Sequence, residues 1–113
     1  YEKLSSDRLG ESSSDIRSRV QSARERQRLR FVNSVDIISN SDMRVAEVRQ
    51  FCKLDESSES LVRAAMSQLQ LSARAYHRIL KLSRTIADLA GSDAIQQVHI
   101  AEALQYRPKI LVS

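Results

Sequence analysis

The chain has 113 residues, of which 42% are hydrophobic, 4% are aromatic and 28% are charged. This length supports one domain with one modest core and excludes a catalytic domain with a second lobe. Two glycines, one proline and few aromatics exclude the turn-rich all-β folds. No apolar run reaches the roughly 18 to 20 residues that cross a bilayer, so the composition predicts an all-α domain with no membrane partner.

The first residues and the cysteine content predict a cytoplasmic protein. Tyr1 to Leu4 lack the apolar stretch of a signal peptide. Cys52 is the one cysteine and cannot form an internal disulfide, so we expect it to be a buried hydrophobic residue in a reducing compartment.

The first helix is predicted to follow a polar connector. Residues 1–11 show no amphipathic period and include Gly10, which indicates a connector arriving from something upstream. Ser12 and Asp15 make a capping pair for a helix from about Ser13 to Val32. Its apolar stripe is thin and most of its surface is arginine, so it should pack by one narrow face.

Two shorter helices are predicted in the middle of the chain. The polar cluster from Ser39 to Asp42 suits the cap of a helix over Met43 to Phe51. Asp55, with further acids and small polar residues after it, suits the start of another helix that ends near Gln70.

The clearest helical pattern lies between Leu71 and Leu89. Ser72 is a good N-cap, apolar residues recur at helical spacing, and Gly91 supplies a C-terminal stop. These features predict a helix over about Ala73 to Ala90.

A last short helix around Val98 to Leu104 should end before Pro108, with Ile95 pointing into the core. The elements together predict a compact bundle of four or five helices over residues 12–107, followed by a frayed tail over 108–113. No internal repeat is visible, which excludes solenoids.

The excess positive charge is concentrated in the first helix. Six arginines and two acids lie between Asp15 and Arg30, so this segment alone accounts for the net charge of +4. Three interpretations stay open: a solvated face, a contact with nucleic acid, or a contact with acids or nucleotide phosphates of a neighbouring subunit. The residues that would make a phosphate or subunit contact are Arg17, Arg19, Arg24 and Arg26.

No pattern indicates catalysis within the chain. A P-loop is absent, because neither Gly10 nor Gly91 precedes the Lys-Ser or Lys-Thr pair that ends this phosphate-binding motif. His77 and His99 lack companions at metal-ligand spacing, so both are interpreted as structural and no metal site is predicted. We therefore expect no catalytic residue and no cofactor for this chain alone.

Three arginines of the helix over Ala73 to Ala90 are candidates for a ligand contact. Arg74 and Arg78 are four residues apart and share a face, whereas Arg84 lies elsewhere. Arg74 also lies in the first turn, where the helix dipole disfavours a cation, which indicates either a nearby anion or a tolerated, solvated arginine. Spacing alone favours the solvated arginine and leaves Arg78 and Arg84 structural.

Several blocks of the chain resemble a known family. The blocks are Gly10-Glu11-Ser12-Ser13, Ile16-Arg17, Arg19-Val20, Ala23-Arg24-Glu25-Arg26-Gln27, Leu71-Ser72-Ala73-Arg74-Ala75-Tyr76-His77-Arg78-Ile79-Leu80, Arg84-Thr85-Ile86-Ala87-Asp88-Leu89 and Glu102-Ala103-Leu104-Gln105-Tyr106-Arg107. The chain resembles the C-terminal domain of magnesium-chelatase-related, competence ComM-like AAA+ ATPases.

The resemblance implies an AAA+ lid-type bundle. In this family a P-loop ATPase core comes first, so residues 1–11 would connect that core to a helical lid over residues 12–107. The position that matches the family's sensor-2 arginine is Arg74, which would contact the γ-phosphate of ATP and report hydrolysis by lid movement. ATP and Mg²⁺ would be cofactors of the full-length protein.

The resemblance also implies partners. They would be the upstream ATPase core and the neighbouring subunits of a ring, expected to be a hexamer. DNA is a further candidate partner, because ComM-like proteins are similar to ring helicases and are linked to DNA branch migration. The alternative is an autonomous basic helical module that binds nucleic acid or another protein.

Overall fold

The computed structural model describes residues 12–106, and within that range it contains five α-helices, one short 3-10 helix and no strand. The α-helices are α1 (Ser13–Arg30), α2 (Val45–Phe51), α3 (Glu56–Leu69), α4 (Ala73–Leu89) and α5 (Gln97–Gln105), and the 3-10 turn is Asn40–Asp42. The predicted all-α bundle of four or five helices is confirmed. The predicted connector over residues 1–11 and the tail over 108–113 lie outside the described residues.

Side-chain caps begin three of the helices at the predicted residues. Oxygen atoms of Ser12, Asp55 and Ser72 each accept a hydrogen bond from the backbone N–H three residues further on, at 2.8 to 3.2 Å. Each bond satisfies an N–H that has no partner inside the helix. Gly91 takes a φ of 73°, a left-handed conformation that favours glycine, and stops the helix that ends at Leu89.

The predicted start of the second helix is wrong. The cluster from Ser39 to Asp42 does not cap a helix over Met43 to Phe51 but forms the 3-10 turn, and α2 begins at Val45. The Asp42 carboxylate accepts hydrogen bonds at 3.1 and 3.2 Å from two backbone N–H groups that precede it. These bonds close the turn and hold the pKa of Asp42 below its usual value.

Helix α4 is the central element of the bundle. It packs against α1, the 3-10 turn, α2 and α5, while α3 packs against α5. The main cluster of buried core residues contains Phe31, Ile37, Met43, Val48, Cys52, Val62, Leu80, Ala87, Ile95 and Ile100. The rings of Phe31 and Phe51 meet edge-on at 5.4 Å between centroids, and the predicted core positions of Cys52 and Ile95 are confirmed.

Helix α1 is held to the bundle by a narrow face, as predicted. Ala23 is its one buried residue, and residues 12–19 are all exposed. The second half of α1 therefore makes the contact with α4, and the first half leaves its arginines in solvent. No helix in the part of the chain that the structure describes is long and apolar enough to cross a bilayer.

Candidate functional site

Arg74 lies in the first turn of α4, on the wall of a surface groove. The opposite wall is formed by the segment that leads into α2 and by the start of α2, where Met43, Val45 and Val48 supply apolar surface. Arg78 lines the same groove one turn further along α4, which confirms that it shares a face with Arg74.

Four cationic side chains line this groove, and no carboxylate lines it. The cations are Arg44, Arg74, Arg78 and Lys81, and His77 lies among them. The first turn of α4 contains no acid, so the positive end of the helix dipole adds to the same field. An arrangement of this kind favours an anion, and the guanidinium groups match the geometry of phosphate oxygens.

Arg44 and Lys81 make contacts within the chain that bear on their access to a ligand. The guanidinium of Arg44 binds Glu47 at 3.2 and 3.3 Å, which holds the pKa of Glu47 below its usual value and raises that of Arg44. The amine of Lys81 donates to the carbonyl oxygen of Ser41 at 3.3 Å. Arg44 nevertheless keeps a side chain that is 65% exposed, so it remains accessible to a ligand.

Arg84 is buried and does not line the groove, in agreement with a structural role. Its guanidinium donates to the carbonyl oxygens of Ser92 and Asp93 at 3.0 and 3.1 Å and lies 3.3 Å from an oxygen of Asp88. Burial lowers the pKa of Arg84, and the neighbouring carboxylate opposes that shift. Arg84 thus fixes the loop that follows α4.

Asp88 organises a buried polar network that the sequence did not reveal. Arg30 donates two hydrogen bonds to its carboxylate at 2.7 and 2.8 Å. The side-chain amide of Asn40 donates to Asp88 at 2.9 Å and accepts from Arg30 at 2.9 Å. The network joins α1, the 3-10 turn and α4, and its one sequence signal is a charged residue on the apolar side of α4.

The arginines of α1 that were predicted to contact a phosphate or a subunit differ in their surroundings. Arg26 donates to Asp93 at 2.8 Å and to the carbonyl oxygen of Gly91 at 3.0 Å, so its guanidinium is engaged at the end of α4. Arg17, Arg19 and Arg24 are exposed. None of these four residues lies in the groove with Arg74.

The two histidines occupy different surroundings. His99 is buried, and its Nδ1 accepts a hydrogen bond from the backbone N–H of Gln96 at 2.9 Å. His77 meets the ring of Tyr76 edge-on, with 5.5 Å between centroids. Over residues 12–106, no three histidine, cysteine, aspartate or glutamate side chains come together as metal ligands.

Comparison with known proteins identifies the family of the chain. Residues 10–107 match the family described as magnesium chelatase, subunit ChlI C-terminal. The chain is 44% identical over 101 residues to the competence protein ComM of Haemophilus influenzae and 43% identical over 98 residues to YifB of Escherichia coli.

These matches cover 89% and 87% of the chain but only 19% and 18% of the two relatives. The chain thus spans about a fifth of the length of the curated relatives it matches. The match to the family over most of the chain and the identity to both relatives lead to one conclusion: the chain belongs to the family of magnesium chelatase ChlI C-terminal domains, in the form found in ComM-like proteins.

Proposed function

We propose that the chain is the helical lid of an AAA+ ATPase, and that Arg74 contacts the γ-phosphate of ATP bound to a P-loop core elsewhere in a longer protein. One observation carries the proposal: Arg74 lies at the start of α4 in a groove lined by four cations and no carboxylate. The greater length of the relatives supports a longer protein of this kind.

The packing of α4 gives Arg74 a means of reporting the state of the nucleotide. The γ-phosphate carries negative charge that a guanidinium can bind through two charge-assisted hydrogen bonds, and hydrolysis removes that partner. Because α4 packs against α1, α2, α5 and the 3-10 turn, a displacement of Arg74 would be transmitted to these elements. Loss of the phosphate would release the lid from the core.

The groove fits the phosphates of ATP but not Mg²⁺. Mg²⁺ prefers oxygen ligands, and the lining side chains include no carboxylate. Mg²⁺, when bound, neutralises phosphate charge, and it would be held by the core. This chain's residues would supply cationic contacts from the other side of the nucleotide.

The proposal extends to the assembly. The protein would act in the cytoplasm as a ring, expected to be a hexamer, and Arg74 would meet a nucleotide of its own or of a neighbouring subunit. The exposed residues Arg17, Arg19 and Arg24 of α1 would contact phosphates or another subunit, and Arg26 could join them only by leaving Asp93. The name of the relative ComM as a competence protein supports DNA as the substrate of the motor.

The test is ATP turnover by the longer protein with Arg74→Ala. Turnover should fall by about tenfold or more, since an electrostatic contact to the transferred phosphoryl group is lost. Arg74 is exposed, so circular dichroism of the chain should not change. Arg63→Ala, which removes an exposed arginine of α3 outside the groove, is the control; equal turnover in the two variants would contradict the proposal.

A second candidate function is nucleic-acid binding by the chain itself. The observation that favours it is that Arg17 and Arg24 of α1 are both exposed, lie seven residues apart and share a face of the helix. Binding to duplex DNA should then weaken with salt, with a slope of about −0.9 per phosphate contact. Replacing both residues with glutamine should reduce the slope by about 2 relative to the unchanged chain. No binding at low salt would remove this candidate.

A further inference from the structure

We propose that Arg44 and Lys81 bind the terminal phosphates of a nucleoside triphosphate together with Arg74, so that the groove between α4 and the segment entering α2 is a two-sided phosphate site. This inference rests on the proposed function and assigns ligand contacts to two residues that neither the resemblance nor the helical spacing singled out. The observation behind it is the convergence of cations from two separate elements on one groove.

The placement of the three cations suits a ligand with several phosphates. Arg74 and Lys81 stand seven residues apart on α4, about 10 Å along the helix axis, on the same side of the helix. Arg44 stands on the opposite wall, at the residue that precedes α2. A chain of phosphates lying along α4 would therefore meet Arg74 at one end, Lys81 at the other and Arg44 across the groove.

Both added residues have hydrogen-bond donors to spare. Arg44 binds Glu47 through Nε and one terminal nitrogen, which leaves its other terminal nitrogen for a ligand. Lys81 donates a hydrogen bond of 3.3 Å to a neutral carbonyl oxygen, and an ammonium group has two further donors. A phosphate oxygen would be a stronger partner for Lys81 than that carbonyl.

The acids near the groove offset part of its positive charge, but none of them lines the groove. Glu47 is paired with Arg44, and it is not among the lining residues. Asp42 accepts hydrogen bonds from two backbone N–H groups and also attracts Lys81, and Asp36 attracts Arg44, but neither carboxylate lines the groove. Buried Met43 and Val48 behind the cations give a fixed apolar backing that limits competing water.

The test is a titration of the 113-residue chain with inorganic triphosphate, ATP and a short DNA duplex, followed by NMR chemical shifts. Triphosphate and ATP should both shift the amide signals of α4 and of the segment entering α2. Arg44→Gln and Lys81→Gln should each weaken triphosphate binding by about fivefold or more. Arg49→Gln removes the same charge from an exposed position of α2 outside the groove and should weaken binding by less than about twofold.

Three results would overturn the inference. One is absence of triphosphate binding by the unchanged chain. Another is equal affinity of Arg44→Gln, Lys81→Gln and Arg49→Gln. The third is a loss of DNA binding alone in the groove variants, which would assign the groove to nucleic acid. None of these depends on ATP turnover, so reduced turnover in Arg74→Ala would leave the proposed lid intact even where this inference fails.

Discussion

Replacing Asp88 with alanine should destabilise the fold severely, because this carboxylate joins α1 to α4. Its side chain has no exposed surface, and the side chains of Arg30 and Arg84, whose guanidinium groups it binds, are 12% and 6% exposed. Removing the carboxylate leaves both cations in the protein interior without their counter-ion. Asn40 also loses an acceptor for its side-chain amide.

The loss of unfolding free energy depends on the hydrogen-bond acceptors that Arg84 and Arg30 keep. Breaking a buried ion pair by removing one partner costs about 3 to 5 kcal/mol. Arg84 retains two backbone carbonyl acceptors, and Arg30 retains Asn40, so we expect the lower part of that range, about 3 kcal/mol. A domain of this size has a total stability of about 5 to 15 kcal/mol, so Asp88→Ala should be close to the limit of folding.

Urea unfolding followed by circular dichroism measures this loss. Asp88→Asn keeps the side-chain volume and should lower the free energy of unfolding by less than Asp88→Ala does, since an amide oxygen can still accept a hydrogen bond from Arg30. Glu25→Ala is the matched control, because it removes a carboxylate from an exposed ion pair with Arg28 and should leave the unfolding midpoint nearly unchanged. A midpoint for Asp88→Ala equal to that of Glu25→Ala would refute the reasoning.

Further predictions concern the core, a helix cap and a turn. Burial raises the pKa of Cys52 from its ordinary 9.0 to about 11, so the thiol stays neutral in the fold where the unfolded chain ionises. Stability should fall by about 2 to 3 kcal/mol as pH rises from 9.0 to about 11, relative to Cys52→Ala measured at the same pH; parallel pH profiles would contradict this. Ser72→Ala should lower the free energy of unfolding in urea by about 1 kcal/mol, because α4 loses its side-chain cap. Ser67→Ala, at an exposed position inside α3, should leave that free energy unchanged. Gly91→Ala should lower the thermal midpoint through backbone strain of about 1 kcal/mol, since its φ is 73° and no atom crowds an added Cβ; an unchanged midpoint would show that the strain is absent.

The features that the sequence predicted correctly are those encoded by neighbouring residues. The apolar spacing, the Ser72 cap and Gly91 are all local, and α4 lies within one residue of its predicted end. The shared face of Arg74 and Arg78 also follows from helical geometry alone. The prediction from local residues was wrong at Ser39 to Asp42, because short polar side chains suit both a helix cap and a turn. The Asp42 carboxylate accepts hydrogen bonds from two backbone N–H groups that precede it, and these bonds stabilise the turn.

The features that the sequence did not predict depend on residues far apart in the chain. Arg30 and Asp88 are 58 residues apart, and Asn40 and Asp88 are 48 apart. Hydrophobic periodicity places each of them on a helix or turn but cannot pair them. The same limit applies to Arg44, which reaches the groove of Arg74 only because α2 packs on α4.

The central claim is that Arg74 meets the γ-phosphate of ATP, and a structure of the longer protein with a non-hydrolysable ATP analogue tests it most directly. The account predicts that the Arg74 guanidinium lies at about 2.7 to 2.9 Å from a γ-phosphate oxygen, of its own or a neighbouring subunit. A bound nucleotide whose γ-phosphate is contacted by other residues, with the groove of Arg74 open to solvent, would contradict it.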